Sequence, residues 1–228
     1  MLGITLDEKT VYALAAVAIF LLVGFPVHEF AHAWTANRLG DGTARLFGRL
    51  SLNPAVHFDP LGAAILALSA LFGAASGRGF FIGWAKPTPV NPVNLRGGRT
   101  GEAWVAAAGP ASNLAMAAIA GVVVRLMLAT DFVSSDLTRF VANVTLYFVV
   151  INVALFIFNF IPIPPLDGSK VLFAFLDPRT VWQVRPALER WGFFIILLVF
   201  LVPIGGESLG GRVVLPLMDG LVGLQVGW

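Results

Sequence analysis

The sequence has no cysteine, and only 12% of its 228 residues are charged. Without cysteine the chain forms neither disulfides nor thiolate metal sites, so any bound metal must be held by histidine, carboxylate or water ligands. The net charge is only +2 and there is no run of basic residues, which argues against nucleic-acid partners. Hydrophobic residues make up 57% of the chain and the mean hydropathy is +0.84, values typical of an integral membrane protein.

Long apolar runs predict an all-α, polytopic membrane protein that forms a single domain over residues 1–228. A membrane-spanning helix needs ~20 mainly apolar residues, and the stretches predicted to span are 11–38, 101–129, 138–160 and 189–204. Two shorter apolar stretches leave alternatives open. Residues 61–75 form either a short span or a re-entrant hairpin, and residues 213–224 either lie in the interface or cross once more. The expected fold is therefore a helical bundle of about four to six transmembrane segments with a re-entrant or short helix.

A small membrane-associated β-hairpin is expected after the first span. Residues 45–52 alternate loosely, with Leu46, Gly48 and Leu50 on one face, and such alternation indicates a strand. The edge of a strand near a membrane active site could bind an extended peptide substrate through main-chain hydrogen bonds. A hairpin with a purely structural role accounts for the pattern equally well.

The most specific motif lies in the first apolar stretch, where His28, Glu29 and His32 form the pattern H-E-x-x-H. On a helix this spacing places the two imidazoles one turn apart on the same face, where both can bind one zinc ion. The glutamate lies about 100° round the helix from the first histidine, which suits a base acting on water at the metal. Polar side chains are costly in hydrocarbon and persist mainly where they perform chemistry, so a chance match is a weak explanation.

Asp167 is the candidate for the third protein ligand that a catalytic zinc usually has. It follows the proline-rich stretch 159–166, whose prolines leave backbone groups unpaired at the end of the third span. Such irregular backbone is tolerated at membrane depth only inside protein or beside a water-filled cavity, and water is a reactant in peptide hydrolysis. The alternative role for Asp167 is that of an N-cap for a helix beginning at Ser169.

These motifs resemble those of the site-2 protease family of intramembrane zinc metalloproteases. The pattern at His28–His32 matches the family's H-E-x-x-H, and residues 159–168 match its N-x-x-P-x-P-x-L-D-G. Gly109–Asn113 matches a glycine- and asparagine-bearing motif of an intervening span, and two stretches between residues 53 and 87 resemble a compact bacterial subgroup. The matches cover most of residues 24–175, and the chain has no room for the PDZ domain that many relatives insert.

The resemblance implies a zinc-dependent membrane endopeptidase with one zinc ion per chain. His28, His32 and Asp167 would hold the metal. Glu29 would take a proton from the attacking water and later deliver it to the leaving amine. The implied substrate is the transmembrane helix of a single-span protein, such as a membrane-tethered regulator or a leftover signal peptide, cleaved in regulated intramembrane proteolysis. The expected partners are this substrate and the lipid bilayer, and the oligomeric state stays open.

Two asparagines and the third histidine carry less specific expectations. Asn159, and with it Asn113, would donate hydrogen bonds to the developing oxyanion. Either asparagine could instead join two helices, a common role in membrane bundles. His57 has three possible roles: it belongs to a structural turn, it contacts a metal ligand from behind, or it is itself an alternative ligand. The structural role is favoured.

The distribution of basic residues predicts the topology. If residues 61–100 dip into the membrane and return to the same side, 11 of the 15 basic residues share that side with residues 39–100 and 161–188. The positive-inside rule makes that side cytoplasmic. The same arrangement brings Asp167 to the side on which the histidines lie. We therefore expect a multi-pass protein of the bacterial cell membrane whose active site faces the cytoplasm.

A different function class must be weighed against proteolysis. A zinc-binding membrane protein that transports or senses metal would also place histidine and aspartate in its helices. Such a protein does not need a glutamate beside the first histidine. The intact Glu29 argues equally against a third interpretation, an inactive scaffold.

Overall fold

The computed structural model describes residues 7–62, 64, 65, 68 and 86–227. The first span is one continuous helical segment made of α1 (Glu8–Ile19), a π-helical turn (Phe20–Gly24) and α2 (Phe25–Arg38). Asp7 caps its start by accepting a hydrogen bond of 2.9 Å from the Thr10 N–H. The π-turn ends two residues before Pro26, which has no N–H to donate to the Leu22 carbonyl, so the helical ladder is interrupted just before the H-E-x-x-H motif.

Two short helices follow, α3 (Thr43–Leu46) and α4 (Pro54–His57). The strand predicted over residues 45–52 is therefore wrong, and with it the hairpin expected there. The Asp41 carboxylate accepts from the Thr43 N–H at 3.1 Å and from the Thr43 hydroxyl, which begins a helical turn instead. Gly48 then adopts φ +68°, a left-handed conformation that ends any extended run. Leu46, Gly48 and Leu50 thus lie on a helical turn and the loop after it, where Leu50 is half-buried, without the strand on which their substrate-binding role depended.

Beyond residue 86, the described chain forms the helices α5 (Arg99–Ala129), α6 (Asp136–Phe160), α7 (Asp167–Phe175), α8 (Pro178–Leu201) and α9 (Leu209–Val226). Short 3₁₀ turns precede α5 (Pro92–Asn94) and α6 (Asp131–Ser134). Among the described residues, strands occur only between α8 and α9, where β1 (Pro203–Ile204) pairs antiparallel with β2 (Glu207–Ser208).

The spans predicted at 11–38, 101–129 and 138–160 are confirmed as helices long and apolar enough to cross a membrane. The fourth such helix in the described part of the chain is α9, which covers the stretch 213–224. The predicted span 189–204 lies mostly in α8, which does not qualify because Arg185, Glu189 and Arg190 fall within it. Most of 61–75 lies outside the described residues.

Helix α5 lies at the centre of the bundle and packs against α2, α6, α7 and α9. Its face towards α6 and α9 forms the main apolar core, with the buried residues Ala117, Ala120, Val124, Val149, Val153, Ile157, Val222 and Val226. Gly121 allows α9 to approach closely, because a Cβ there would come within 2.6 Å of the Gln225 carbonyl oxygen. Small residues permit this kind of close helix contact in membranes, where packing rather than the hydrophobic effect joins helices.

The chain returns to the end of α2 before α5 begins. The Arg96 N–H donates to the Leu39 carbonyl at 2.8 Å, and the fully buried Asp41 accepts from the Asn91 N–H at 2.7 Å and from Asn94 Nδ2 at 3.2 Å. The start of α5 is thereby fixed beside the end of the first span. Burial acts to raise the pKa of Asp41, but these hydrogen bonds and those from Thr43 outweigh it and hold the pKa below its usual value.

Candidate metal centre

Helix α2 carries the two histidines of the motif into the interior of the bundle. His28 and His32 are one turn apart, and both are buried, with 8% and 7% of their surface exposed. Their Nε2 atoms lie 3.0 Å apart, and the two rings stand nearly perpendicular at 83°. The helical spacing therefore turns two imidazole nitrogens towards one point, as the motif predicts.

Asp167, the first residue of α7, completes the group. Its Oδ2 lies 3.6 Å from His28 Nε2 and 3.2 Å from His32 Nε2. Leu166, not Asp167, occupies the N-cap position, so the alternative interpretation of Asp167 as a helix cap is wrong.

The position of α7 is fixed at both of its ends. At its start, Gly168 packs against the last turn of α6, where a Cβ would come within 2.6 Å of the Ile161 carbonyl oxygen. At its end, the Arg99 guanidinium donates to the carbonyls of Phe173 at 3.1 Å and Leu176 at 2.9 Å. These contacts attach α7, the helix that carries Asp167, to α5 and α6.

The donor set fits a tetrahedral zinc ion. Zinc bound about 2.0–2.1 Å from each ligand requires ligand atoms about 3.3 Å apart, and the three separations observed are 3.0, 3.2 and 3.6 Å. The donors are two imidazole nitrogens and one carboxylate oxygen, a combination that suits zinc and leaves the fourth position to water. His28, His32 and Asp167 are the one group of this kind in the described residues.

Contacts behind the ligands fix their protonation. His28 Nδ1 lies 2.7 Å from Asn113 Oδ1, and His32 Nδ1 lies 2.7 Å from the Val105 carbonyl oxygen. Because both partners are acceptors, each Nδ1 carries the proton and each Nε2 keeps its lone pair for a metal. Sequence reasoning missed the Val105 contact, since a backbone carbonyl leaves no signal in the choice of side chain.

Helix α5 passes directly against the two imidazoles at Gly109. A Cβ at this position would overlap His32 Nε2 and would come 2.7 Å from His28 Cε1. The motif Gly109–Asn113 thus does two things: its glycine leaves room for the imidazoles, and its asparagine accepts a hydrogen bond from one of them. Asn113 is fully buried, and its Nδ2 has no hydrogen-bond partner among the described residues.

Glu29 is buried and is held by a residue that the sequence did not single out. Its Oε2 accepts from the Thr88 N–H at 3.1 Å and from the Thr88 hydroxyl at 2.6 Å. Thr88 belongs to the segment 83–92, which the prolines predict to be extended, and the described part of that segment has no helix before Pro92. No residue pattern marks Thr88, because its partner is 59 positions away.

Two sequence-predicted residues do not join the cluster. Asn159 Nδ2 donates to the Leu155 carbonyl at 3.0 Å in its own helix, and among the described residues it makes no hydrogen bond to a proposed ligand. His57 is fully buried and its Nε2 donates to the Ser51 carbonyl at 2.7 Å, while its ring packs edge-on against Phe25. It lies outside the group of His28, His32 and Asp167, and the structural role favoured from the sequence stays a prediction.

Comparisons with known proteins agree with this centre. Residues 15–202 match the family model described as peptidase family M50. The chain is 38% identical to YwhC of Bacillus subtilis, classed by name with the zinc metalloproteases, over 84% of this chain and 82% of that protein. It is 32% identical to Rip2 of Mycolicibacterium smegmatis, a protein named in the same class, over 85% of this chain and 72% of the relative. No solved structure matches the chain.

Proposed function

We propose a substrate class for this chain, which belongs to peptidase family M50 and is a zinc-dependent membrane protease. The proposed substrates are the transmembrane helices of single-span proteins. The observation that carries the proposal is the buried group of His28, His32 and Asp167 with Glu29 beside it, inside a multi-pass membrane protein. Peptide bonds in or near a transmembrane helix are the substrates that a buried centre of this kind reaches. Membrane-tethered regulators and leftover signal peptides, the substrates of regulated intramembrane proteolysis, contain such peptide bonds.

Each residue of the centre has a proposed role. His28, His32 and Asp167 hold the zinc ion, which when bound acts as a Lewis acid and lowers the pKa of water towards ~7. Glu29 accepts the proton of the attacking water and returns it to the leaving amine. Asn113 keeps His28 in the tautomer and orientation that ligation needs, as its 2.7 Å contact supports.

Asn159 is proposed as a donor to the oxyanion that develops on the scissile carbonyl. It lies at the end of α6, eight residues before Asp167, and its side chain is partly exposed. Its Nδ2 donates one hydrogen to the Leu155 carbonyl and has a second hydrogen that it can donate to a substrate.

We propose that the site faces the cytoplasm of a bacterial cell. Eleven of the 15 basic residues would lie on that side if residues 61–100 return to it. The hydrogen bond between the Arg96 N–H and the Leu39 carbonyl supports the return, because it joins the start of α5 to the end of the first span.

The test of the proteolytic centre uses purified protein in detergent, a model single-span peptide and the Glu29→Gln variant. Glutamine keeps the size of the side chain but cannot accept the proton, so turnover should fall by ~10²–10⁴-fold or more while zinc content stays at one per chain. Undiminished cleavage by Glu29→Gln protein that is free of other proteases would refute the assignment of the base.

The test of the substrate class is a peptide series that differs only in helix propensity at the cleavage region. Intrahelical hydrogen bonds hide the carbonyl groups, so the scissile segment must become extended before it reaches the centre. Replacing Gly, Pro, Asn or Ser near the cut with leucine should slow cleavage without reducing membrane insertion. Equal rates across the series would show that unwinding is not limiting and that recognition lies elsewhere.

A further inference from the structure

The segment of residues 86–91, here called the strap, crosses the buried carboxylate of Glu29. Its two ends are fixed by backbone hydrogen bonds: the Lys86 N–H donates to the His57 carbonyl at 3.1 Å, and the Asn91 N–H donates to Asp41 Oδ2 at 2.7 Å. Both acceptor residues are fully buried. The strap is therefore tied at each end to the protein interior.

The sequence of the strap makes it stiff. Thr88 stands between Pro87 and Pro89, which fix φ near about −65° and disfavour helical backbone in the residues before them. Neither proline has an N–H group, so the N–H of Thr88 is the one backbone donor in this tripeptide. A stiff segment anchored at both ends holds its central residue in a defined position.

Thr88 directs both of its donors at one oxygen of Glu29. The N–H and the hydroxyl lie 3.1 and 2.6 Å from Oε2, and the hydroxyl oxygen is 3.3 Å from the Glu29 backbone carbonyl. Two bonds to a single carboxylate oxygen hold the position of that oxygen. No described residue donates a hydrogen bond to the other oxygen, Oε1.

We propose that Thr88 is a positioning residue for Glu29, a role that rests on the proposed proteolytic function. The strap holds Oε2, so that Oε1 is the oxygen left to exchange a proton with water and with the leaving amine. A general base acts efficiently only when the accepting oxygen is already placed within hydrogen-bond reach of the proton. Thr88 supplies this placement, and its hydrogen bonds within the described residues go to Glu29 and not to a proposed metal ligand.

The kinetic test compares Thr88→Val with Thr88→Ser in the zinc-loaded full chain. Valine has nearly the shape of threonine but lacks the hydroxyl, so kcat should fall about tenfold with little change in KM, and the loss should stay smaller than that of Glu29→Gln. Serine restores the hydroxyl and should return kcat to within about twofold of the unaltered chain. Thr100→Val is the matched control, since Thr100 is exposed and should leave kcat unchanged.

The contact itself is tested without activity, by hydrogen exchange of the peptide that covers the strap. Glu29→Ala removes the acceptor of the Thr88 N–H, so the strap should gain about one rapidly exchanging amide, while the Asn91 amide on Asp41 stays protected. Glu29→Gln keeps an acceptor and should retain the protection although turnover is lost.

The outcomes separate the two proposals. Full kcat in Thr88→Val beside an inactive Glu29→Gln would overturn the role of Thr88 and leave the proteolytic centre intact. Loss of zinc in Thr88→Val, or no recovery in Thr88→Ser, would overturn it as well, because each indicates a role in folding. Unchanged exchange in Glu29→Ala would show that the contact does not form. Undiminished turnover in Glu29→Gln would instead refute the proteolytic centre, while the exchange result would still report on the contact.

Discussion

Gly109→Ala should remove zinc from the protein while leaving most of the fold in place. The added Cβ would lie 2.7 Å from His28 Cε1, whereas ordinary contacts begin at 3.4 Å. The ring must therefore retreat by about 0.7 Å, or helix α5 must move by a similar distance, because a packed interior has no spare room. His32 is closer still and must move further.

A shift of this size exceeds what zinc ligation tolerates. Ligand distances in metal sites vary by only about 0.2 Å, so a displacement of about 0.7 Å takes the imidazole out of coordinating range. Overpacking costs about 1–3 kcal/mol of unfolding free energy. We expect a moderate loss of stability in detergent, together with sub-stoichiometric zinc and a loss of cleavage.

Two other glycines provide matched controls. Gly220→Ala in α9 adds a Cβ that meets no atom within 4 Å, so it should keep zinc and gain about 0.5–1 kcal/mol of stability from the better helix former. Gly121→Ala brings a Cβ within 2.6 Å of the Gln225 carbonyl oxygen, far along α5 from the centre, and should destabilise the fold with zinc retained in the folded protein. The measurements are zinc per chain by elemental analysis and thermal unfolding in detergent. Full zinc content and full cleavage in Gly109→Ala would refute the close approach of α5 to the imidazoles.

Three further predictions concern the centre and its orientation. Alanine at each of the three proposed ligands should abolish zinc binding as well as cleavage, whereas His57→Ala should keep near-stoichiometric zinc. Loss of zinc in His57→Ala with retention in Asp167→Ala, measured by elemental analysis, would make His57 the third ligand instead. Asn113→Ala should weaken zinc affinity about 10–100-fold in a chelator competition, because it removes the acceptor behind one ligand, and an unchanged affinity would contradict that role. Because the chain has no cysteine, single cysteines report topology: Arg49→Cys and Arg96→Cys should resist an impermeant reagent added to intact cells, while Ser135→Cys should react. Labelling of Arg96→Cys with protection of Arg49→Cys would show that the intervening segment crosses the membrane.

The sequence alone determined the features that depend on one element at a time. Hydropathy located three of the spans, and helical periodicity placed His28 and His32 on one face, because both signals are set by neighbours within a single helix. The motif around Asp167 identified the third member of the group, because the prolines before it break the helix locally and are visible in the sequence. The strand predicted from the alternating pattern of residues 45–52 is wrong, because the Asp41 side chain begins a helical turn there and Gly48 adopts a left-handed conformation.

Only the tertiary structure decided which distant residues meet at the centre. Asn113 reaches His28 across 85 positions, and Thr88 reaches Glu29 across 59. These contacts depend on how closely α5 and the strap approach α2, which in turn depends on Gly109 and on the anchors of the strap at both ends. Such distances follow from the packing of whole elements, and no pattern within one element specifies them.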